Sequence, residues 1–375
     1  MKKSMKVVSL VMAAALVLTC FAGCGKKSKY GADDMYFIGA TGPLTGDASA
    51  YGISVQNGAK LAVDEINKAG GLNGKKFKFE IKDDKAAAAD AATGYDALYD
   101  AGMQISLGSV TSGSCESFAS KAAEDNLFFM TPSASAANVI ENRSNAFRVC
   151  FGDPDQGTLA AEQLVKDYKK IGAIYDTSDA YSKGIFDAFD AEMKKLNAKY
   201  EVQSFDAENK KDFSTQVEAL KDCDVIFLPI YYTEAGLIAK ACVAKNVDAV
   251  LFGCDGLDGV VDQIDSTVKN KIKYITPFDV NSTSEKSAAF TNSYKAAYNE
   301  DPDQFAADAY DAVYAIYEAM KAAGIDDVTI EPSDLCDKVV KAITDKSFGY
   351  KGVTGDMTWD ASGACNKVPV IVELG

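Results

Sequence analysis

The 375-residue chain contains no histidine. That absence removes the Ser-His-Asp triad, the Cys-His pair and every histidine metal site from consideration. Basic residues are also scarce: 39 Lys and Arg against 54 Asp and Glu leave a formal charge of −15. Nucleic-acid affinity rests on basic contacts to phosphate, so nucleic acid is excluded as a partner. Nine cysteines are present, but at irregular spacing and with no CxxC, which argues against a disulfide framework or a zinc site. Several of them, such as Cys150 in FRVCF and Cys254 in LFGCDG, lie in apolar runs and read as small buried hydrophobes. No tandem repeat or low-complexity tract interrupts the chain. GGLNGKK (residues 70–76) lacks the length and the Ser/Thr of a phosphate loop, and reads as a helix stop and turn.

What the chain does have begins at its first residues. Lys2, Lys3 and Lys6 precede an apolar segment over residues 7–18, and small residues lead to Cys24. This is the pattern of a secretory signal, and the segment is shorter than the ~20 residues that span a bilayer. No later apolar run reaches that length. FAGC resembles the lipobox of bacterial lipoproteins, with Phe21 where leucine is usual, so Cys24 is the expected lipidation site. Residues 1–23 are therefore a predicted lipoprotein signal and residues 24–33 a flexible tether. Removing three lysines with the signal takes the net charge from −15 to −18.

The remaining chain, about 350 residues, suffices for two ordinary domains. Strand-like runs alternate with helical segments: 35–40, then a helix over 55–71, a strand over 76–84, another helix, an apolar run from 103, and a strand over 126–132. The rhythm restarts after GDPDQG (152–157), with strands over 171–176, 224–230, 249–256 and 271–278. Such alternation predicts an α/β fold of two doubly wound parallel-sheet lobes. Residues 284–322 read as helix, and 355–374 as a closing hairpin. The predicted division is lobe 1 over 34–152 plus 281–350, and lobe 2 over 153–280 plus 351–375.

In doubly wound sheets, ligands bind beyond the carboxyl ends of the strands. The segments at such positions are TGPLTGDASAYG (41–52), SVTSGS (109–114), TPSAS (131–135), DTSDAYSKG (176–184), IYYTE (230–234) and GCDG (253–256). Together they offer hydroxyls, tyrosines and one strand-end carboxylate, with scarcely any positive charge, a set suited to a zwitterion. Ser112 and its neighbours cap a helix N-terminus, where N–H donors and the dipole favour a carboxylate. Ser133 and Ser135 extend that cradle, Asp255 offers an opposite charge to an ammonium, and Tyr51, Tyr181 and Tyr231 supply flat walls with polar tips. Each has a plainer reading: a serine before a helix is an ordinary cap, Tyr231 packs at a strand end, and Asp255 caps the next helix. The whole set at strand ends carries the argument.

The order of these segments, from IGATGPLTGDASAYGISVQNGAKLAVDEINKAGGLNGKKFKFEIKDD through GSVTSGS, TPSAS, DPDQG, KDFSTQV and LFGCDG, resembles the amino-acid-binding proteins of branched-chain (leucine/isoleucine/valine) ABC transporters. The resemblance covers essentially the mature chain. It implies a type I periplasmic-binding-protein clamshell with three hinge crossings. It implies a ligand carboxylate held by Ser112, Ser133 and Ser135, an ammonium held by Asp255 where many relatives have glutamate, and a cleft lined by Tyr51, Tyr181 and Tyr231. Thr111 stands at an expected cysteine position, so the early disulfide of relatives is not reproduced. The expected role is a monomeric, lipid-anchored receptor at the outer face of the cell membrane, without cofactor or metal, delivering an amino acid to an ABC importer permease. A ligand-sensing receptor of the same fold, or a binder of another small amide or carboxylate, remains the alternative. An enzyme is not expected, because no general base stands beside a candidate nucleophile.

Overall fold

The computed structural model describes residues 29–374. Cys24 and the predicted signal lie outside the described residues. Strand β1 (Met35–Gly42) is apolar and buried after its first residue, as a strand covered on both faces must be. It pairs in parallel with β2 (Lys76–Asp83) on one side and β3 (Ile105–Ser106) on the other. Strands β4 (Phe129–Thr131) and β5 (Ala146–Arg148) complete a five-stranded sheet of order β2-β1-β3-β4-β5. Helices α1 (Ser49–Lys68), α2 (Ala88–Asp100), α3 (Ser112–Glu124) and the short α4 (Ala137–Ile140) connect these strands.

The second sheet repeats the plan. Its parallel strands are β6 (Ile171–Asp176), β7 (Tyr200–Phe205), β8 (Val225–Leu228), β9 (Val250–Gly253) and β10 (Ile272–Thr276). From β7 inward the order is β7-β6-β8-β9-β10, matching the first sheet. Helices α5 (Asp153–Asp167), α6 (Ala180–Lys195), α7 (Ser214–Ala219) and α8 (Tyr232–Lys245) join them. Strands β5 and β7 had no strong sequence signal. β7, YEVQSF, pairs only with β6 at the sheet edge and is mostly exposed or half-buried, so it lacks an apolar run.

The chain then returns to the first lobe with α9 (Glu285–Tyr298), α10 (Gln304–Ala322) and α11 (Pro332–Ile343). Helix α10 packs along α1, and the approach is close: a Cβ on Gly58 would sit 2.0 Å from the Ala306 carbonyl oxygen. The Gln104 side chain holds the following loop by donating to the carbonyls of Val328 and Ile330, while accepting from the Phe37 N–H.

The expected closing hairpin over 355–374 is corrected. Strand β11 (Tyr350–Lys351) pairs with β12 (Asp356–Met357), and a single antiparallel rung joins Trp359 to Cys365. The chain then crosses to the other lobe, where β13 (Val370–Leu374) pairs antiparallel with β10. The crossing is fastened by the indole N–H of Trp359, which donates to the Arg148 carbonyl at 2.7 Å. It is also fastened by Lys367, which donates to the carboxylate of Asp308 and, at 2.6 Å, to the hydroxyl of Thr354. Burial works against the Lys367 charge, and the neighbouring carboxylates more than offset it. The seven cysteines of the described residues are free thiols, and all but Cys365 are buried.

Gly58→Ala tests the α1–α10 contact. Alanine favours helix, but its methyl group would force the two backbones apart. A loss of about 1–3 kcal/mol is expected, read from the urea unfolding midpoint. An unchanged midpoint would show that the helices separate at no cost.

Candidate functional site

Both sheets have the order in which strand connections reverse direction between the first and third strands, and ligands bind at such a switch point. Here the carboxyl ends of the two sheets face each other. A cavity between them is lined by Tyr51, Val110, Thr111, Ser112, Ser133, Tyr181, Tyr231, Asp255, Gly256 and Phe305. Six of the seven sequence-predicted ligand residues thus meet in one place.

On the first lobe, Thr111 precedes α3 in extended conformation but makes no side-chain cap, and Ser112 is the first helical residue. The reading of Ser112 as a capping side chain is therefore corrected. Its Oγ accepts from the Ala136 N–H at 3.2 Å, which leaves the hydroxyl proton to donate. The amides of this first turn have no partner within the helix, and with the dipole they favour an anion. Ser133 donates to the Val110 carbonyl at 2.7 Å, pinning the loop after β4 to the loop after β3. Ser135 does not line the cavity. It is fully buried behind it, near Asp153, and its hydroxyl has no hydrogen-bond partner among the described residues.

On the second lobe, Asp255 begins a 3-10 turn after β9. Its carboxylate accepts from Tyr181 Oη at 2.6 Å, and its N–H donates to Gln156 Oε1 at 3.0 Å. Burial pushes its pKa up to about 6, against the lowering effect of the Tyr181 bond. Tyr181 and Tyr231 stack with ring centroids 4.9 Å apart, and the Tyr231 hydroxyl is unpartnered among the described residues. Tyr51 crosses from the first lobe: it donates to the Gly256 carbonyl and accepts from the Tyr232 N–H at 3.2 Å. Phe305, at the start of α10, lies against Tyr51 with centroids 4.3 Å apart.

Sequence reasoning missed Phe305 and, more consequentially, Asp153. Asp153 opens α5 and is 1% exposed, and neither carboxylate oxygen has a hydrogen-bond partner among the described residues. Burial, with the charge of Asp255 adding to it, holds its pKa well above the usual carboxylate range. The amide nitrogen of Gln156 and the hydroxyl of Thr111 are likewise buried and unsatisfied. Buried polar groups without partners are costly and are open to bonds from a ligand or an ordered water. The DPDQG segment was visible in the sequence, but nothing in it showed that Asp153 would be sealed beside Asp255.

The enclosed space is about 10 Å³, room for about one water molecule, against ~300 Å³ or more in usual ligand pockets. The lobes are drawn together here, and the cavity meets a larger cleft of about 450 Å³ at Thr111 and Tyr231. The arrangement presents anion-binding amides on one lobe and buried carboxylates on the other, with aromatic walls between.

The sequence profile of the periplasmic binding protein family matches residues 36–369. The chain belongs to that family. Proteins of this family are extracytoplasmic solute binders of ABC transporters. The chain is 31% identical over 334 residues to the Leu/Ile/Val-binding protein BraC3 of Rhizobium johnstonii, spanning 86% of this chain and 88% of that one. Among solved structures, the branched-chain amino-acid substrate-binding protein LivJ of Streptococcus pneumoniae, in complex with isoleucine, superposes with a TM-score of 0.81 at 29% identity, over 91% of this chain and 97% of that one. The leucine-binding protein LivK of Thermotoga maritima also reaches 0.81, at 23% identity over 90% and 95% of the two chains. The two α/β lobes of this binding protein are thus those of the type I periplasmic fold. No helix of the described residues is long and apolar enough to cross a membrane.

The Asp255 shift carries a stability consequence whose sign is fixed. A carboxyl pKa raised from its ordinary 3.8 to about 6 stabilises the fold fully below the unfolded value and loses that contribution as pH rises through the folded one. Asp255→Asn should therefore stabilise the unliganded protein at pH 7.5 by about 1–3 kcal/mol relative to its effect at pH 4. Urea unfolding at the two pH values measures this, and an equal effect at both would contradict the buried-charge account.

Proposed function

We propose that this binding protein is a lipid-anchored, monomeric receptor on the outer face of the cell membrane, which captures a branched-chain or related amino acid and delivers it to an ABC importer permease. The observation that carries the reading is the polarity of the cavity. Helix-terminal amides with the Ser112 hydroxyl match an α-carboxylate, held in a loop that Ser133 pins, and Asp255, with Asp153 buried behind it, matches an α-ammonium. The remaining walls (Val110, Phe305 and the rings of Tyr51, Tyr181 and Tyr231) suit a compact apolar side chain. Relatives named for leucine, isoleucine and valine binding support the same class.

The two lobes move as units in this proposal, with crossings near residues 152, 280 and 350. Contacts from both lobes form only when the cleft shuts, so a ligand stabilises the closed state by its differential affinity. Cys24 anchors the protein through its lipid, and the tether lets the clamshell reach a permease.

Calorimetry with leucine, isoleucine and valine tests the ligand class. Asp255→Asn is expected to lose about 2–5 kcal/mol of binding, roughly 30-fold to several-thousand-fold. Ser112→Ala removes one donor of several and should lose about 1–3 kcal/mol. Affinity should also fall as pH drops through about 6, because an ammonium must then displace a proton from Asp255. Parental affinity in Asp255→Asn would point instead to a carboxylate ligand without an ammonium.

Anchoring is checked separately. Mass spectrometry of membrane-extracted protein should find diacylglyceryl on Cys24, and Cys24→Ala should release the protein while the soluble part keeps its ligand affinity. An unmodified Cys24 in the membrane fraction would defeat the anchor.

A further inference from the structure

A second interlobe groove, of about 430 Å³, lies beside the ligand cavity. Three structural elements contribute to both spaces. Helix α1 turns Tyr51 to the cavity and Ile53 and Ser54 to the groove; the turn after β9 turns Asp255 to the cavity and Asp258 to the groove; the start of α10 turns Phe305 to the cavity and Asp303 to the groove. Bonds across the lobes assemble the groove floor. The Gln304 N–H donates to Asp258 Oδ2 at 3.1 Å, and the Gln304 side chain donates to the Asp255 carbonyl at 2.8 Å. The groove is therefore complete only when the lobes are shut around the site.

Its surface is unlike that of a satisfied joint. Ile53, Val261 and Val280 are 43%, 57% and 38% exposed, three of the nine large apolar side chains so exposed among the described residues, and they come from both lobes and a crossing. Five carboxylates line the groove and no basic residue does. Asp258 and Asp303 are occupied by internal donors, and Asp301 pairs with Lys295. Asp262 and Glu300 are exposed and form no salt bridge among the described residues. The other interlobe mouth differs in carrying basic residues: there Lys210 of the second lobe reaches Asp47 of the first at 3.4 Å and Glu234 at 3.1 Å.

We propose that this groove is the docking surface for a basic, apolar-tipped extracytoplasmic segment of the import permease, and that it presents the closed, loaded receptor to that partner. An apolar centre with a charged rim is the anatomy of a transient interface, and the unpaired carboxylates call for a cationic complement that steers encounter. The inference rests on the transport reading above, and its test separates the two.

The test uses Val261→Asp and Asp262→Lys, with Val202→Asp as an exposed control on the sheet edge away from the groove. Calorimetry with isoleucine establishes ligand affinity, and proteoliposomes carrying the cognate permease complex report ATP-driven isoleucine uptake. Both groove variants should bind isoleucine within about twofold of the parent yet lower uptake about tenfold or more, through a raised half-saturating concentration of receptor, while the control transports normally. Parental uptake by both groove variants would overturn the docking proposal and leave the transport reading intact. A parent that binds isoleucine but drives no uptake would overturn the transport reading, and the docking proposal with it. Sedimentation velocity supplies the remaining outcome: a parental dimer that Val261→Asp makes monomeric would assign the groove to a second copy of this chain and defeat the proposal.

Discussion

Two carboxylates taken out of water between two lobes, Asp153 and Asp255, set the terms for the rest of the molecule. A buried charge costs several kcal/mol unless hydrogen bonds and a counter-charge compensate it. Asp255 receives one strong donor, Tyr181, and Asp153 receives none among the described residues. The closed form without ligand is consequently polarised and under-satisfied at its centre, however well its margins fit. On the proposed reading closure becomes conditional, because an ammonium small enough to be enclosed would complete the centre better than a bound proton does.

The topology explains why those acids converge. Each sheet places its first and third strands side by side, so the loops that follow them diverge to opposite faces and leave a crevice at their carboxyl ends. Two such sheets set end to end bring amides from the first lobe against acids from the second. Tyr51 then spans the gap, bonding to Gly256 and to the Tyr232 amide. A single aromatic side chain so reports the separation of the lobes at the point where the ligand sits.

Much of this was legible in the sequence. The alternation of apolar strands such as MYFIGA and IGAIYD with amphipathic helices is a long-range signal, and so the α/β architecture could be read. Ser112, Ser133, Tyr51, Tyr181, Tyr231 and Asp255 could be found because each stands just past an apolar run or at a strand-end loop. What escaped had no local signature. Strand β7 is a polar edge strand, Phe305 enters from a helical block remote in sequence, and Asp153 becomes unusual only through its surroundings. Ser135, two residues beyond Ser133, was assigned the same direction, but the backbone turns it away behind the cavity. The C-terminal segment was misread because its strands are too short to show which sheet each one joins.

The route of that last segment bears on how the molecule is made. Strand β13 completes the second sheet at its β10 edge, and it arrives after the chain has returned to build the helices of the first lobe. Until residues 370–374 dock, β10 presents an open row of amide and carbonyl groups, the kind of edge that recruits stray strands. Neither lobe is a continuous stretch of sequence, and the second lobe, begun before the first is finished, is the last to be completed. On the export route proposed above, a chain that crosses the membrane from its N-terminus would lack the closing strand of its second sheet until residues 370–374 arrive.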